Sequence, residues 1–354
     1  MIVKRDCRYF RGDIPCKPHK DSGVHCEECQ YYESYKGIVL IIKTGAVGDV
    51  IRTTTLLHRI KREYPNFLIW WVTYTPEVLP SVVDGKFKLN LETLLVLEVS
   101  EFELVINLDK DDFACGLMNR LKAKRKIGYY LQDGKPAPLH KEAEHKYLTG
   151  LFDDVSKANL KSYPEEIFEI CGWNFAGEEY ILDVDGRIVW DIPNEGRKII
   201  GLNTGCGGRW VSRLWSEDNW KKLALMLKDN GYYPMFLGGE QEHEKNLKLS
   251  KETGCYYPGH FGFQEFISLV NQCDVVVSAV TMAMHIAIGL KKPLVLMNNI
   301  FNRNEFELYG RGEIVEPDKE CKCYFSPRCK NEEYFCMEHL PVEKVLSAVL
   351  RVFQ

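Results

Sequence analysis

The chain has 354 residues, 13 of them cysteine, and a formal net charge of −4; that length favours two domains of about 150 residues each over one. The slightly acidic balance argues against nucleic acid as a partner. No apolar run approaches the roughly 20 residues of a membrane span, and the charged, cysteine-bearing amino terminus is unlike a secretion signal, so a cytoplasmic protein is expected.

Residues 1–36 form an extension rich in Cys, Lys, Tyr and Pro, too polar to build a core by itself. It holds Cys7, Cys16, Cys26 and Cys29 in the spacing Cx8Cx9CxxC, and a second quartet near the other end, Cys321, Cys323, Cys329 and Cys336, follows CxCx5Cx6C. Four thiolates in a short loop-rich segment suit a tetrahedral metal site better than a disulfide framework in a chain of this size without a secretory signal. Zinc is the expected structural ion at each quartet, with iron or an iron–sulfur centre as the alternative. His19 and His25 stand close enough in sequence to replace a ligand. Cys115, Cys171, Cys206, Cys255 and Cys273 are scattered and read as packed or partly exposed thiols.

The first domain is expected over residues 37–185. Ile38–Ile42 (IVLII) lacks alternation and reads as a parallel strand buried on both faces. A glycine-punctuated turn, KTGAVGD, follows, and then a helical pattern with Val50, Leu56, Leu57 and Ile60 on one stripe and Arg52, Arg59 and Lys61 off it. Ligands of open α/β sheets bind beyond the carboxyl ends of the strands, so Asp49 is either a general base presented there or a helix cap. Residues 67–73 and 104–108 read as further strands, the latter followed by Asp109 and Lys110. The basic stretch 119–130 reads as a solvated helix end, and 163–171 as a helix closed by Gly172. Residues 174–197, rich in Gly, Asp, Glu and Pro, suit a linker.

The same grammar returns over residues 186–315. Strands are expected at 198–203, 233–237, 275–278 and 293–297, with helices at 215–227 and 284–289. A cysteine-bearing segment over 316–354 ends in an amphipathic helix at 342–353. Strand–helix alternation in both halves predicts an α/β protein of two doubly wound, Rossmann-like domains facing each other across a cleft. In the second half the loop and helix start in SAVTMAMHIAIG gather backbone N–H groups at a helix-dipole end, a setting that binds phosphate. Arg213, at the expected start of a helix, could add a charge-assisted contact to a diphosphate, and Glu242, after the Gly238–Gly239 pair, could accept from ribose hydroxyls. His285 is as well explained by packing as by ligand contact. Residues 298–312 are either a specialised loop lining the cleft or a surface connection.

The segments KTGAVGDVIRTTTLLHRIKREYPNFLIWWVT, KAKRKIGYY, GLNTGCGGRWVSRLWSEDNWKKLA, FLGGEQEHE and TMAMHIAIGLKKPLVL, in this order over residues 37–315, resemble glycosyltransferase family 9, the lipopolysaccharide heptosyltransferases. The resemblance implies a GT-B architecture and inverting transfer of heptose from an ADP-heptose-like nucleotide sugar to a saccharide or glycolipid acceptor in lipopolysaccharide or surface-glycan biosynthesis, without a catalytic metal. It implies a peripheral contact with the inner membrane. Asp49 is the implied catalytic base. The implied donor-binding residues are Thr204, Arg213, Glu242, Thr281, Met282, Ala283, Met284 and His285, and Lys43 and Arg52 are the candidates for acceptor contact. One departure concerns Val280, Thr281 and Met282, which stand where the family commonly carries Asp-Thr-Gly; the lost carboxylate leaves the donor sugar open. It also keeps an alternative in view, a nucleotide- or glycan-binding protein on a degenerate GT-B fold that turns nothing over.

Overall fold

The structure, a computed structural model, describes residues 1–353, and these form two units: residues 1–45 with 56–143, and residues 46–55 with 144 onward. Each is built on one mainly parallel sheet, so the α/β class and the two parallel sheets expected from the sequence are observed.

In the first unit, strands β1 (Ile38–Ile42), β2 (Leu68–Thr73), β3 (Gly85–Lys88), β4 (Glu101–Asn107), β5 (Lys122–Gln132) and β6 (Lys135–Pro138) lie in the order β3-β2-β1-β4-β5-β6. All pairs are parallel except β5 with β6. β1 is central, with Leu40 opposite both Trp70 and Val105, and Val39 to Ile42 are fully buried, which explains why the run does not alternate. The loop after β1 is fastened to the end of β4. Asp109 takes an ion pair from Lys43, a backbone N–H from Thr44, the Thr44 hydroxyl at 2.7 Å and the Gly45 N–H at 3.1 Å.

The basic stretch expected to end a helix is instead β5. Lys and Arg favour helix only weakly, and ladder pairing with β4 overrides that preference. Lys122, Lys124 and Arg125 are exposed, while Ile127, Gly128 and Tyr129 are buried. Gly128 sits at φ 104°, and a Cβ there would fall 1.8 Å from the Asn107 carbonyl oxygen, so this strand position accepts only glycine. Residues 1–36 contain one short helix, Lys17–Ser22; Arg8, which pairs with Glu33 of the same segment at 2.8 Å, also ties it to the rest of the unit through Asp84 and the Phe67 carbonyl.

The second unit carries β7 (Ile199–Asn203), β8 (Tyr233–Leu237), β9 (Val275–Ala279), β10 (Leu294–Met297) and β11 (Gly312–Val315) in the order β11-β10-β9-β7-β8, all parallel. One core holds Trp215, Trp220 and Leu223 with Val345 and Val349, from helices Glu217–Asp229 and Val342–Val352 and the turn before the first. Cys336 and Met337 of the cysteine-bearing segment belong to this core. A separate core holds Phe266, Ile267, Met284 and Ile286, from helices Phe263–Asn271 and Met282–Gly289. Ile51, of the short helix Val47–Thr53, is buried in that core, which is why residues 46–55 group with this unit although they follow β1 in the chain. Among the described residues no helix is long and apolar enough to cross a membrane.

Candidate functional site

In the second sheet the chain order reverses between β7 and β9, and loops leaving those two strands diverge at their carboxyl ends, the crevice where open α/β sheets bind ligands. The loop after β7 is Gly-rich and that after β9 leads at once into helix Met282–Gly289. Asn203, the last residue of β7, ties the two together: its amide donates to the Gly205 carbonyl at 3.2 Å, to Ser278 Oγ at 3.1 Å and to Thr281 Oγ1 at 3.3 Å.

A cavity of about 890 Å³ opens here, lined entirely by residues of the second unit. Thr281, the N-cap of helix Met282–Gly289, makes no side-chain cap bond, so the first N–H groups of this helix are left for another acceptor, and Thr281, Met282 and Ala283 all line the cavity. Arg213 enters from the turn Val211–Arg213. It is buried, donates to the carbonyls of Val280 and, at 3.0 Å, Cys206, and lies 5.4 Å over Trp210 and 5.5 Å over Phe301. Burial lowers its pKa to about 10, which leaves it a cation at neutral pH. On another wall the Glu242 carboxylate accepts from Gly239 N–H at 3.0 Å and rests on the Gly205 backbone, where a Cβ would come within 2.2 Å of it.

Helix Val47–Thr53 brings Asp49 and Arg52 to the same cavity. The Asp49 side chain is 34% exposed and pairs with Arg52 at 2.9 Å; the Arg52 side chain is 11% exposed, pairs with Glu305 at 2.7 Å and lies 3.5 Å over the Tyr163 ring. Burial would lower the Arg52 pKa, but the carboxylates of Asp49 and Glu305 outweigh it and raise the value, so Arg52 is a fixed cation between two anions. Beneath them is His285. Burial, with Arg52 nearby, pushes its pKa down to about 3, so its ring is neutral, and it stacks on Tyr180 at 6.2 Å. Gly48 permits this packing, since a Cβ there would lie 2.4 Å from His285 Cδ2.

Residues 178–334, which contain most of this cavity wall, match the model of glycosyltransferase family 9 (heptosyltransferase). None of the curated proteins matches the sequence. Among solved structures, a glycosyltransferase of family 9 from Veillonella parvula DSM 2008 is similar with a TM-score of 0.63 at 15% identity, over 90% of this chain and 98% of that one. E. coli ADP-heptose lps heptosyltransferase II gives 0.61 at 15% identity over 90% and 98%. The dodecameric iron-containing heptosyltransferase TibC, from enterotoxigenic E. coli H10407 and solved with ADP-D-β-D-heptose, gives 0.57 at 13% identity over 90% and 77%. At these identities the likeness is one of fold, and the family match over residues 178–334 supports a glycosyltransferase activity.

Of the residues singled out from sequence, the second unit brings Arg213, Glu242, Thr281, Met282, Ala283 and His285 to one cavity, where Asp49 and Arg52 join them. Thr204 and Met284 are turned elsewhere. The Thr204 hydroxyl donates to Asn246 at 2.6 Å, and Met284 is fully buried in the core. Lys43 lies in the first unit in its buried pair with Asp109. Arg213 does not begin a helix; its turn precedes helix Glu217–Asp229, which Ser216 caps. Sequence reasoning did not find Asn203, Glu305 or the aromatic residues Trp210, Phe301 and Phe325, all of which line the cavity. Phe301 and Glu305 do fall in the stretch 298–312 that stood out as a candidate lining loop.

The four amino-terminal cysteines, Cys7, Cys16, Cys26 and Cys29, line a second, small cavity of about 20 Å³. In the other quartet Cys323 and Cys329 stand 3.6 Å apart, Lys330 N–H donates to Cys323 Sγ at 3.0 Å, and Asn299 donates to Cys336 Sγ at 3.3 Å. A hydrogen bond from Cys321 lowers the Cys336 pKa. No cysteine is in a disulfide, and among the described residues no three His, Cys, Asp or Glu side chains already stand in a metal-holding arrangement. The five scattered cysteines are buried, and burial pushes the thiols of Cys115 and Cys273 up to about 12, as suits packed groups.

Proposed function

We propose that this chain is an inverting glycosyltransferase that moves a sugar, heptose being the expected one, from a nucleoside diphosphate to a hydroxyl of a saccharide or glycolipid acceptor in lipopolysaccharide or surface-glycan assembly. The observation that carries the reading is the shared cavity, whose wall holds an accessible carboxylate, Asp49, the buried Arg213 and an uncapped helix start. Two of the similar folds are named for or solved with ADP-heptose. In the proposed step the acceptor hydroxyl gives its proton to Asp49 while its oxygen forms the new bond at the anomeric carbon. The bond from that carbon to the diphosphate oxygen breaks, and its electron pair leaves with the nucleoside diphosphate. Arg213 and the amides at residues 281–283 receive that charge, and Glu242 accepts from ribose. Arg52, held by Glu305, fixes the Asp49 carboxylate rather than touching the donor. Each cysteine quartet is proposed to take one structural thiophilic ion, zinc first and iron second, and the enzyme to work at the cytoplasmic face of the inner membrane.

The test is a comparison of wild type with Asp49→Asn. Turnover of ADP-heptose, followed as acceptor-free donor hydrolysis or transfer to a glycan panel, should fall on the order of 10²- to 10⁴-fold, while ADP affinity by calorimetry stays within about twofold. Turnover near the wild-type rate in Asp49→Asn removes the base role. A second reading is a nucleotide or glycan binder without turnover, and Val280 favours it: its buried apolar side chain offers a sugar no polar contact, and its carbonyl is taken by Arg213. Tight ADP-heptose binding with neither hydrolysis nor transfer would decide for that reading.

A further inference from the structure

We propose that Trp210, Phe301 and Phe325 form the face on which the donor's sugar ring stacks, so that sugar recognition here is carried by aromatic surface delivered in part from the cysteine-bearing segment. The inference rests on the reading that the cavity binds a nucleotide sugar. The three rings are mutual neighbours: centroids lie 5.7 Å apart for Trp210 and Phe301, 5.5 Å for Trp210 and Phe325, and 5.4 Å for Phe301 and Phe325. All three line the large cavity, yet Phe325 remains 56% exposed, an unusual amount of open surface for a phenylalanine in an aromatic cluster.

Position along the cavity identifies what this face would meet. At one end it is continuous with Arg213, whose guanidinium lies over both Trp210 and Phe301. Towards the other end Phe301 packs on Phe306 at 6.4 Å, next to Glu305, the partner of the Arg52 that holds Asp49. A diphosphate at Arg213 with its anomeric carbon near Asp49 lays the intervening ring along this wall. Pyranose rings present a face of C–H groups that is apolar and slightly positive, which suits the negative face of an arene.

Phe325 is also held there at a cost. Its φ of 47° is a left-handed conformation that a bulky side chain rarely adopts, and such strain gathers at ligand clamps. The neighbouring backbone enforces it: Phe325 N–H donates to the Ile300 carbonyl at 2.9 Å and Ser326 N–H to the Cys323 carbonyl at 2.9 Å. Ser212, the residue before Arg213, donates its hydroxyl to the Ser326 carbonyl at 2.6 Å and its N–H to the Pro327 carbonyl at 3.1 Å. The cysteine loop and the Arg213 turn are thus one piece, with the aromatic face between them.

The experiment is calorimetry of the full chain with two probes, ADP and ADP-heptose, in wild type, Phe325→Gly and Phe325→Tyr. Glycine accepts the left-handed backbone without strain, so the first variant keeps its fold. Phe325→Gly should bind ADP-heptose about tenfold more weakly and ADP within about twofold of wild type, with Phe325→Tyr close to wild type for both. Unchanged ADP-heptose affinity in Phe325→Gly overturns the proposal, as does an equal loss for both probes, which would assign the face to the nucleotide. A wild type that binds ADP but gains nothing from the sugar also overturns it, whereas one that binds neither removes the donor reading on which it stands.

Discussion

Gly48 shows how much of the candidate site turns on single atoms. Helix Val47–Thr53 approaches helix Met282–Gly289 so closely that a β-carbon at position 48 would meet the His285 ring at 2.4 Å. That ring is buried and stacked on Tyr180, so it has little room to yield. Gly48→Ala should therefore lift the helix that carries Asp49 and Arg52. Overpacking of this kind costs about 1–3 kcal/mol, readable as a lower denaturant midpoint, and donor turnover in the folded fraction should fall with it; a variant with wild-type stability and turnover would mean that the two helices part freely. In the sequence Gly48 reads only as turn punctuation beside a carboxylate. Asp49 itself is legible as a carboxylate just beyond a buried strand, open to a base or a helix-cap role, but the reason for the glycine lies in a residue of the other half of the chain. The same holds for Glu305, whose role exists only through Arg52.

At the scale of elements, strands buried on both faces were the readable part. IVLII and KIIGLN announce β1 and β7 because nothing polar interrupts them, whereas the short edge strands β3 (GKFK) and β6 (KPAP) carry almost no apolar signal and β5 hides behind lysines. Helix Met282–Gly289 is apolar nearly all round and is buried accordingly, His285 included. This has a consequence for pH. The His285 pKa falls from 6.5 to about 3 through burial and, secondarily, Arg52, with Asp49 opposing the shift. The unfolded chain therefore binds a proton that the folded chain refuses between pH 6.5 and about 3, and stability must fall as pH drops through that window. Between pH 7 and 5 the histidine accounts for a loss of about 2 kcal/mol. His285→Gln should be less stable than wild type at pH 7 but lose about that much less on acidification, measured by urea unfolding at both pH values. Equal pH slopes in the two proteins would show that the ring protonates in the folded state.

For the whole molecule the question is what keeps its extremities folded. Residues 1–36 bury a single side chain, Pro18, so apolar burial does little to order them, and the small cavity their four cysteines share is a candidate anchor beside the Arg8–Asp84 pair and the hydrogen bonds from Arg8 to the Phe67 carbonyl and from Lys36 N–H to the Asn66 carbonyl. The carboxy-terminal quartet differs in that Cys336 belongs to a core of the second unit and Phe325 sits within its spacing. The two quartets should consequently answer to different assays. Elemental analysis of the intact chain should return about two thiophilic ions, and Cys26→Ser with Cys29→Ser should leave one, expose residues 1–36 to protease and leave ADP affinity unchanged. Replacing Cys323 and Cys329 by serine should also leave one ion, but here the loop bearing Phe325 loses its anchor and ADP-heptose affinity should drop. A metal-free protein whose termini resist protease as well as the loaded one would mean that hydrogen bonds and the Arg8 pairs suffice, and that the sulfurs are neighbours without a shared ion.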